Sequence, residues 1–136
     1  MEQQPQLAVR AIIQNGDGKI LILKRANTQH GKDEWCLPGG KIGFGESVEQ
    51  TLKREIRDET RLECVCGTFL YYQEVLPTEK LPTHFISLIF QCMVSGQILL
   101  NDESSLFAWV GPGNLAEYTL AFDNQQVIRK FWLTSL

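Results

Sequence analysis

The chain has 136 residues, 43% of them hydrophobic, which suits one compact domain over residues 1–136 and leaves no room for a second. A formal net charge of −3 argues against a protein that grips a nucleic-acid duplex by basic charge alone. No run reaches the roughly 18 apolar residues that span a bilayer. Residues 1–5 lack the charged-then-apolar form of a signal peptide, so a cytoplasmic address is expected.

The predicted elements follow in chain order. Residues 7–14 read as a strand, and Asn15-Gly16-Asp17-Gly18 as a tight turn leading to its partner strand over 19–25. Residues 26–34 are polar and read as a surface loop. Trp35-Cys36-Leu37 reads as a short strand stopped by Pro38-Gly39-Gly40. A helix is expected over 47–60, with Ser47 and Gln50 at capping-box spacing. Residues 63–75 and 84–94 are β-rich, and the prolines at 77 and 82 make the segment between them a loop. A short strand over 106–110, a helical turn after Gly113 and a terminal helix over 124–133 complete the series. Strands dominate and helices interleave at two places, so the expected fold is α/β (α+β), a mixed β-sheet with helices packed on its faces.

Four cysteines are present: Cys36, Cys64, Cys66 and Cys92. Cys64 and Cys66 stand two apart on a predicted strand, which would project both from one face. With no second pair at zinc-ligand spacing, they read as small reduced thiols.

The helix over 47–60 carries the most informative chemistry. Advancing about 100° per residue from Val48, Leu52 falls near ~40° and Ile56 near ~80°, one apolar stripe. Glu59 falls inside that stripe at about 20°, and Glu55 at its edge near ~340°. A helix whose charges only met solvent would place them opposite, with Lys53, Arg57 and Gln50. Carboxylates gathered beside a core repel one another and lose hydration, and a divalent cation compensates both penalties. Asp58, near ~280°, adds a third oxygen donor, and such a set suits Mg²⁺ or Mn²⁺ rather than zinc. The preceding run from Gly39 to Glu46 is glycine-rich, as a backbone that approaches a ligand closely must be.

Gly40, Glu46, Arg54, Glu55, Ile56, Glu59 and Leu62 stand in the register of the Nudix box, Gly-x5-Glu-x7-Arg-Glu-U-x-Glu-Glu-x-Gly-U, where U is bulky and aliphatic. The chain therefore resembles the Nudix hydrolases, tightly within the box and loosely from the N-terminal strands to Trp109. The resemblance implies a Nudix-like α/β/α sandwich and a pyrophosphohydrolase dependent on Mg²⁺, with Mn²⁺ as a substitute. Its substrate would be a small nucleotide-derived molecule, a nucleoside diphosphate linked to another moiety, opened by water attack at phosphorus with release of a nucleoside monophosphate. By position, Glu59, Glu55, Asp58 and the Gly40 carbonyl would be metal ligands. Glu55 would also be a candidate base, and Arg54 and Glu46 a supporting pair. Glu103, six residues before Trp109, stands where many relatives carry a further acidic ligand or base.

Arg25 and Lys41 are candidates for phosphate contacts, Trp35 for stacking on a base, and His84 for a further substrate contact. Two positions depart from the box: Asp58 replaces Glu, and Arg61 replaces a Gly expected to be left-handed. These departures motivate the alternative, a catalytically inactive nucleotide- or protein-binding module on the same fold. Cys36 keeps open a prenyl-diphosphate isomerase. The sequence leaves nucleoside triphosphates, nucleotide sugars and ADP-ribose all open as substrates, and relatives frequently form homodimers.

Overall fold

The computed structural model describes residues 3–28 and 31–134. The expectation of no signal segment therefore lies outside the described residues at Met1 and Glu2, as does the loop expectation at Gln29 and His30. The elements are β1 (Gln6–Ile13), β2 (Ile20–Arg25), β3 (Trp35–Cys36), β4 (Gly39–Lys41), α1 (Val48–Thr60), β5 (Glu63–Val75), β6 (Phe85–Ser95), β7 (Ser104–Val110), a 3₁₀ turn (Leu115–Glu117) and α2 (Asn124–Thr134). They form a four-stranded mixed sheet in the order β4-β1-β6-β5 and a three-stranded sheet in the order β3-β2-β7.

The central strands carry long apolar runs because both of their faces are covered. Val9, Ala11 and Ile13 of β1, with Leu21 and Leu23 of β2, pack beneath Leu52 and Ile56 of α1. The alternate residues Ile12, Ile20 and Ile22 pack beneath Val127, Ile128 and Phe131 of α2. The strand period of two thus sends successive side chains to opposite helices. This is the expected α/β/α sandwich with a helix on each face.

Three local expectations need correction. Asn15 does close a turn, its Oδ1 accepting the amides of Asp17 and Lys19 at 3.0 Å. The strands it joins, however, belong to different sheets. Apart from a single bridge between Gln14 and Ile20, β1 pairs with β4 (antiparallel) and β6 (parallel), while β2 pairs with β3 and β7. Nor does Pro38-Gly39-Gly40 only stop a strand. Gly39 and Gly40 begin β4, which lies against Arg10 and Val9 so closely that a Cβ on Gly39 would stand 2.0 Å from the Val9 carbonyl oxygen. Finally, Cys64 and Cys66 do not share a face: a bulge in β5 lies between them, leaving Cys64 buried and Cys66 exposed.

Helix α1 begins with the expected capping box. The Ser47 side chain accepts the Gln50 amide at 3.1 Å, and the Gln50 side chain accepts the Ser47 amide at 2.8 Å. The helix ends at Arg61, which is left-handed with φ of 64°.

Candidate active site

The carboxylates of α1 meet the glycines of β4. Glu59 is 6% exposed, and its Oε1 accepts the Gly39 amide at 2.8 Å. Glu55 lies one turn earlier on the same side, and a Cβ on Gly40 would stand 2.6 Å from its carboxylate. Glycine at 40 therefore leaves room for the Glu55 carboxylate, while glycine at 39 lets β4 lie against the backbone of Val9 and Arg10. Burial pushes the Glu59 carboxyl up to about 8, with Glu55 and Glu103 adding to the rise and Arg10 and the Gly39 amide opposing it. Burial also raises Glu55, against the pull of Arg54.

A second shell of charge fixes the loop before α1. Arg54 makes a two-pronged contact with Glu46, Nε to Oε2 at 2.7 Å and Nη2 to Oε1 at 2.9 Å. Its Nη1 reaches Glu55 at 3.1 Å and Asp58 at 3.7 Å. Thr51, fully buried, donates its hydroxyl to Glu46 at 3.0 Å. The Arg54 hydrogen bonds hold the Glu46 carboxyl down to about 2. A single guanidinium thereby ties the glycine-rich loop to two acids of the helix.

Glu55, Glu59 and Glu103 form a wall shared by two open clefts. The larger, about 640 Å³, is also lined by Arg10, Arg25, Gly40, Lys41, Phe85 and Phe122. The smaller, about 340 Å³, holds Arg54, Asp58, Arg61 and Asn101. Gly40, Lys41, Arg25, Glu55, Glu59 and Glu103 are thus brought together, with Asp58 and Arg54 on the far side of the wall. Glu46 stands behind Arg54. Two candidates lie elsewhere. Trp35 packs edge-on against Tyr118 with ring centroids 5.0 Å apart, and His84 sits 3.4 Å from Glu74 beside Pro77 and Pro82.

The residues fit a hard divalent cation. The buried Glu59 and the half-buried Glu55 repel each other, Gly40 leaves space beside Glu55, and every donor is oxygen. Among the described residues no three such side chains are yet gathered close enough to share an ion. Arg54 pairs with Glu55 at 3.1 Å and lies 3.7 Å from Asp58.

Sequence reasoning missed Arg10 and Phe122. Arg10 is 7% exposed, donates from Nη1 to the Leu37 carbonyl at 2.9 Å, and lies 5.0 Å from the centroid of the Phe122 ring. Arg25 lies 4.6 Å from the same ring. A lone arginine within the apolar run of β1 was the available signal for the first. Nothing local in the sequence marks Phe122, whose placement depends on the turn before α2.

A cleft lined by both acids and guanidiniums suits an anionic ligand held beside a cation. A sequence profile of the NUDIX domain matches residues 4–131, and the chain belongs to the Nudix family. It is 34% identical to the nucleoside triphosphatase NudI of Escherichia fergusonii, covering 80% of this chain and 84% of that protein. It is 33% identical to an ADP-ribose pyrophosphatase of Methanocaldococcus jannaschii, covering 93% and 73%. The crystal structure of a MutT NUDIX hydrolase from Burkholderia pseudomallei superposes with a TM-score of 0.84 at 25% identity, covering 93% of this chain and 98% of that one. The protein is accordingly a pyrophosphohydrolase acting on nucleotide-derived substrates.

Proposed function

We propose that the protein hydrolyses the pyrophosphate bond of a nucleoside diphosphate linked to another moiety, with Mg²⁺ or Mn²⁺ held by Glu59, Glu55 and the Gly40 carbonyl, and with Asp58 serving an additional ion. The single observation that carries this reading is the Glu59 carboxylate, 6% exposed in the wall of a cleft that Arg25 and Lys41 also line. An acid so placed is relieved of its desolvation cost by a proton or by a cation, and only the cation leaves it ionised as a ligand. When bound, the ion neutralises phosphate charge and makes water a stronger nucleophile.

The chain's own residues supply the remainder. Lys41, exposed at the rim, and Arg25, deeper in the cleft, meet phosphate oxygens and hold the substrate along the acidic wall. Water attacks one phosphorus, the bridging oxygen leaves with its bonding electrons, and a carboxylate accepts the water's proton. Glu103 suits that last role because it is exposed in the wall, while Glu55 is partly engaged by Arg54. Arg54 and Glu46 act as positioning residues, fixing Glu55 and the loop that presents Gly40.

Among the described residues no helix is long and apolar enough to cross a membrane. The proposed setting is the cytoplasm, as a single domain acting alone or as a homodimer. Nucleoside triphosphates and ADP-ribose are the first substrates to try, with nucleotide sugars beside them. Purified protein with Mg²⁺ should release a nucleoside monophosphate from at least one member of that panel. No release from any of them, with Mg²⁺ or Mn²⁺, refutes the reading.

A further inference from the structure

The larger cleft holds a charge that the catalytic reading does not use. Arg10 projects from β1 with its guanidinium almost wholly enclosed, yet it forms no ion pair among the described residues. Its Nε is buried with no hydrogen-bond partner. Nη1 is spent on the Leu37 carbonyl. A buried cation without a partnered anion is costly, and folds seldom keep one without a use. The nearest acids, Glu55 and Glu59, feel its field but make no direct contact with it.

The surroundings of Arg10 are also strained in a way that serves its position. Phe122 and the following Asp123 are both left-handed, with φ of 56° and 55°. A bulky aromatic residue there is an outlier that persists only where its surroundings enforce it. Here Asn124 enforces it: its Nδ2 donates to the Phe122 carbonyl at 3.2 Å, and its Oδ1 accepts the Leu37 amide at 2.8 Å. The result is a ring in the cleft, with Phe85 edge-on at 5.8 Å and the guanidiniums of Arg10 and Arg25 both over it. An aromatic face limits the orientations of a guanidinium without consuming its N–H donors.

We propose that Arg10, oriented by the Phe122 ring, is a phosphoryl-binding residue, taking one of the two phosphoryl groups of a diphosphate ester in the cleft that Arg10 and the carboxylates both line. Once Glu55 and Glu59 are engaged by a cation, Arg10 has no anion left to answer it except one brought by the ligand. A phosphoryl group bridging the metal site and Arg10 alternates the charges across the cleft: carboxylate, cation, phosphate, guanidinium. The guanidinium lines the cleft, and its charge suits a phosphate oxygen there. Phe122 touches no phosphate in this arrangement and is a positioning residue.

The inference rests on the cleft being the diphosphate site of the proposed function, and the test separates the two. The probe is α,β-methylene-ADP, which presents a diphosphate that water cannot open at the bridge, titrated calorimetrically in the presence of Mn²⁺. Arg10→Gln should weaken its binding by about tenfold or more, as loss of a charge-assisted contact does. Mn²⁺ binding without nucleotide, read by electron paramagnetic resonance, should be unchanged or tighter. Arg10→Gln that binds the probe as tightly as the wild type overturns the proposal. Equal losses of probe and Mn²⁺ binding also overturn it, because they mean that Arg10 only staples Leu37 and β4. If Arg10→Gln does not fold, Phe122→Leu decides instead: probe binding should weaken several-fold and Phe122→Trp should restore it, whereas wild-type affinity in Phe122→Leu overturns the proposal. Probe binding that depends on Arg10 in a protein with no turnover would uphold this inference and sink the proposed activity. Turnover with an Arg10-independent Kd would do the reverse.

Discussion

Glu59 is costly to the fold until something cationic joins it. The sign of that cost sets a pH dependence. Its carboxyl titrates near the ordinary value of 4.5 when unfolded and is pushed up to about 8 by burial when folded. Between those limits the folded state binds the extra proton, so stability should fall as pH rises, by at most about 1.4 kcal/mol per pH unit from this group. Glu55, raised in the same direction, adds to the trend. Chemical denaturation in chelator at pH 5 and pH 8 should show the loss, and Glu59→Gln should flatten it. Mg²⁺ at pH 8 should restore stability in the wild type and not in Glu59→Gln, whose turnover should fall by about 10³-fold or more if the ion is bound there. At Gly40 an added methyl group would stand 2.6 Å from the Glu55 carboxylate. Gly40→Ala should therefore lower kcat about tenfold or more through a displaced acid, while the melting temperature moves little. Steady-state kinetics beside a thermal melt distinguishes that outcome from simple unfolding.

Helix α1 carries the site, and its two ends are built differently. The start is secured by the Ser47 and Gln50 capping box, and Ser47→Ala should cost about 1 kcal/mol. The end places Arg61 in the left-handed region at φ of 64°, where a β-carbon is unfavourable, so Arg61→Gly should stabilise the fold by about 1 kcal/mol. Differential calorimetry would show it as a rise of a few degrees. Arg61 also lines the smaller cleft with Asp58 and Asn101, so a fall in activity accompanying the gain in stability would show that the arginine works there. Strand β5 offers a simpler check on local geometry. The bulge that turns Cys66 outward and leaves Cys64 beneath α1 predicts that Cys66 reacts quickly with a thiol reagent in the native protein. Cys36, Cys64 and Cys92 should react only on unfolding.

At the scale of the whole molecule, the sequence revealed most where one segment carries its own explanation. The α1 wheel placed Glu59 on the packing side, and it is buried there, because helix periodicity is local and strong. The hairpin reading of residues 7–25 failed for the opposite reason. Asn15-Gly16-Asp17-Gly18 closes a turn in either case, and which partners β1 and β2 take is decided by distant strands, β4 and β6 for one and β3 and β7 for the other. The same holds for the site. Gly40, Glu46, Arg54, Glu55 and Glu59 lie within one short stretch: helix spacing singled out Glu55 and Glu59, and the resemblance to the Nudix box supplied the other three. Arg10 and Phe122 come from opposite ends of the chain and meet only through the fold.

The alternation of β1 between two cores has a consequence for how this chain tolerates change in length. Val9, Ala11 and Ile13 go to one helix and Ile12 to the other, with Arg10 entering the cleft between Val9 and Ala11. β1 is therefore a reading frame, and shifting it by one residue would drive the Arg10 charge beneath α1 and present an aliphatic side chain to the cleft. A glycine inserted after Gly16, in the exposed turn, should be absorbed with little loss of stability. The same insertion after Leu7 moves no pairing partner of α2 yet displaces the register of Ala8 and Val9 against Lys41 and Gly40. Its effect on folding yield would measure how firmly the frame is held.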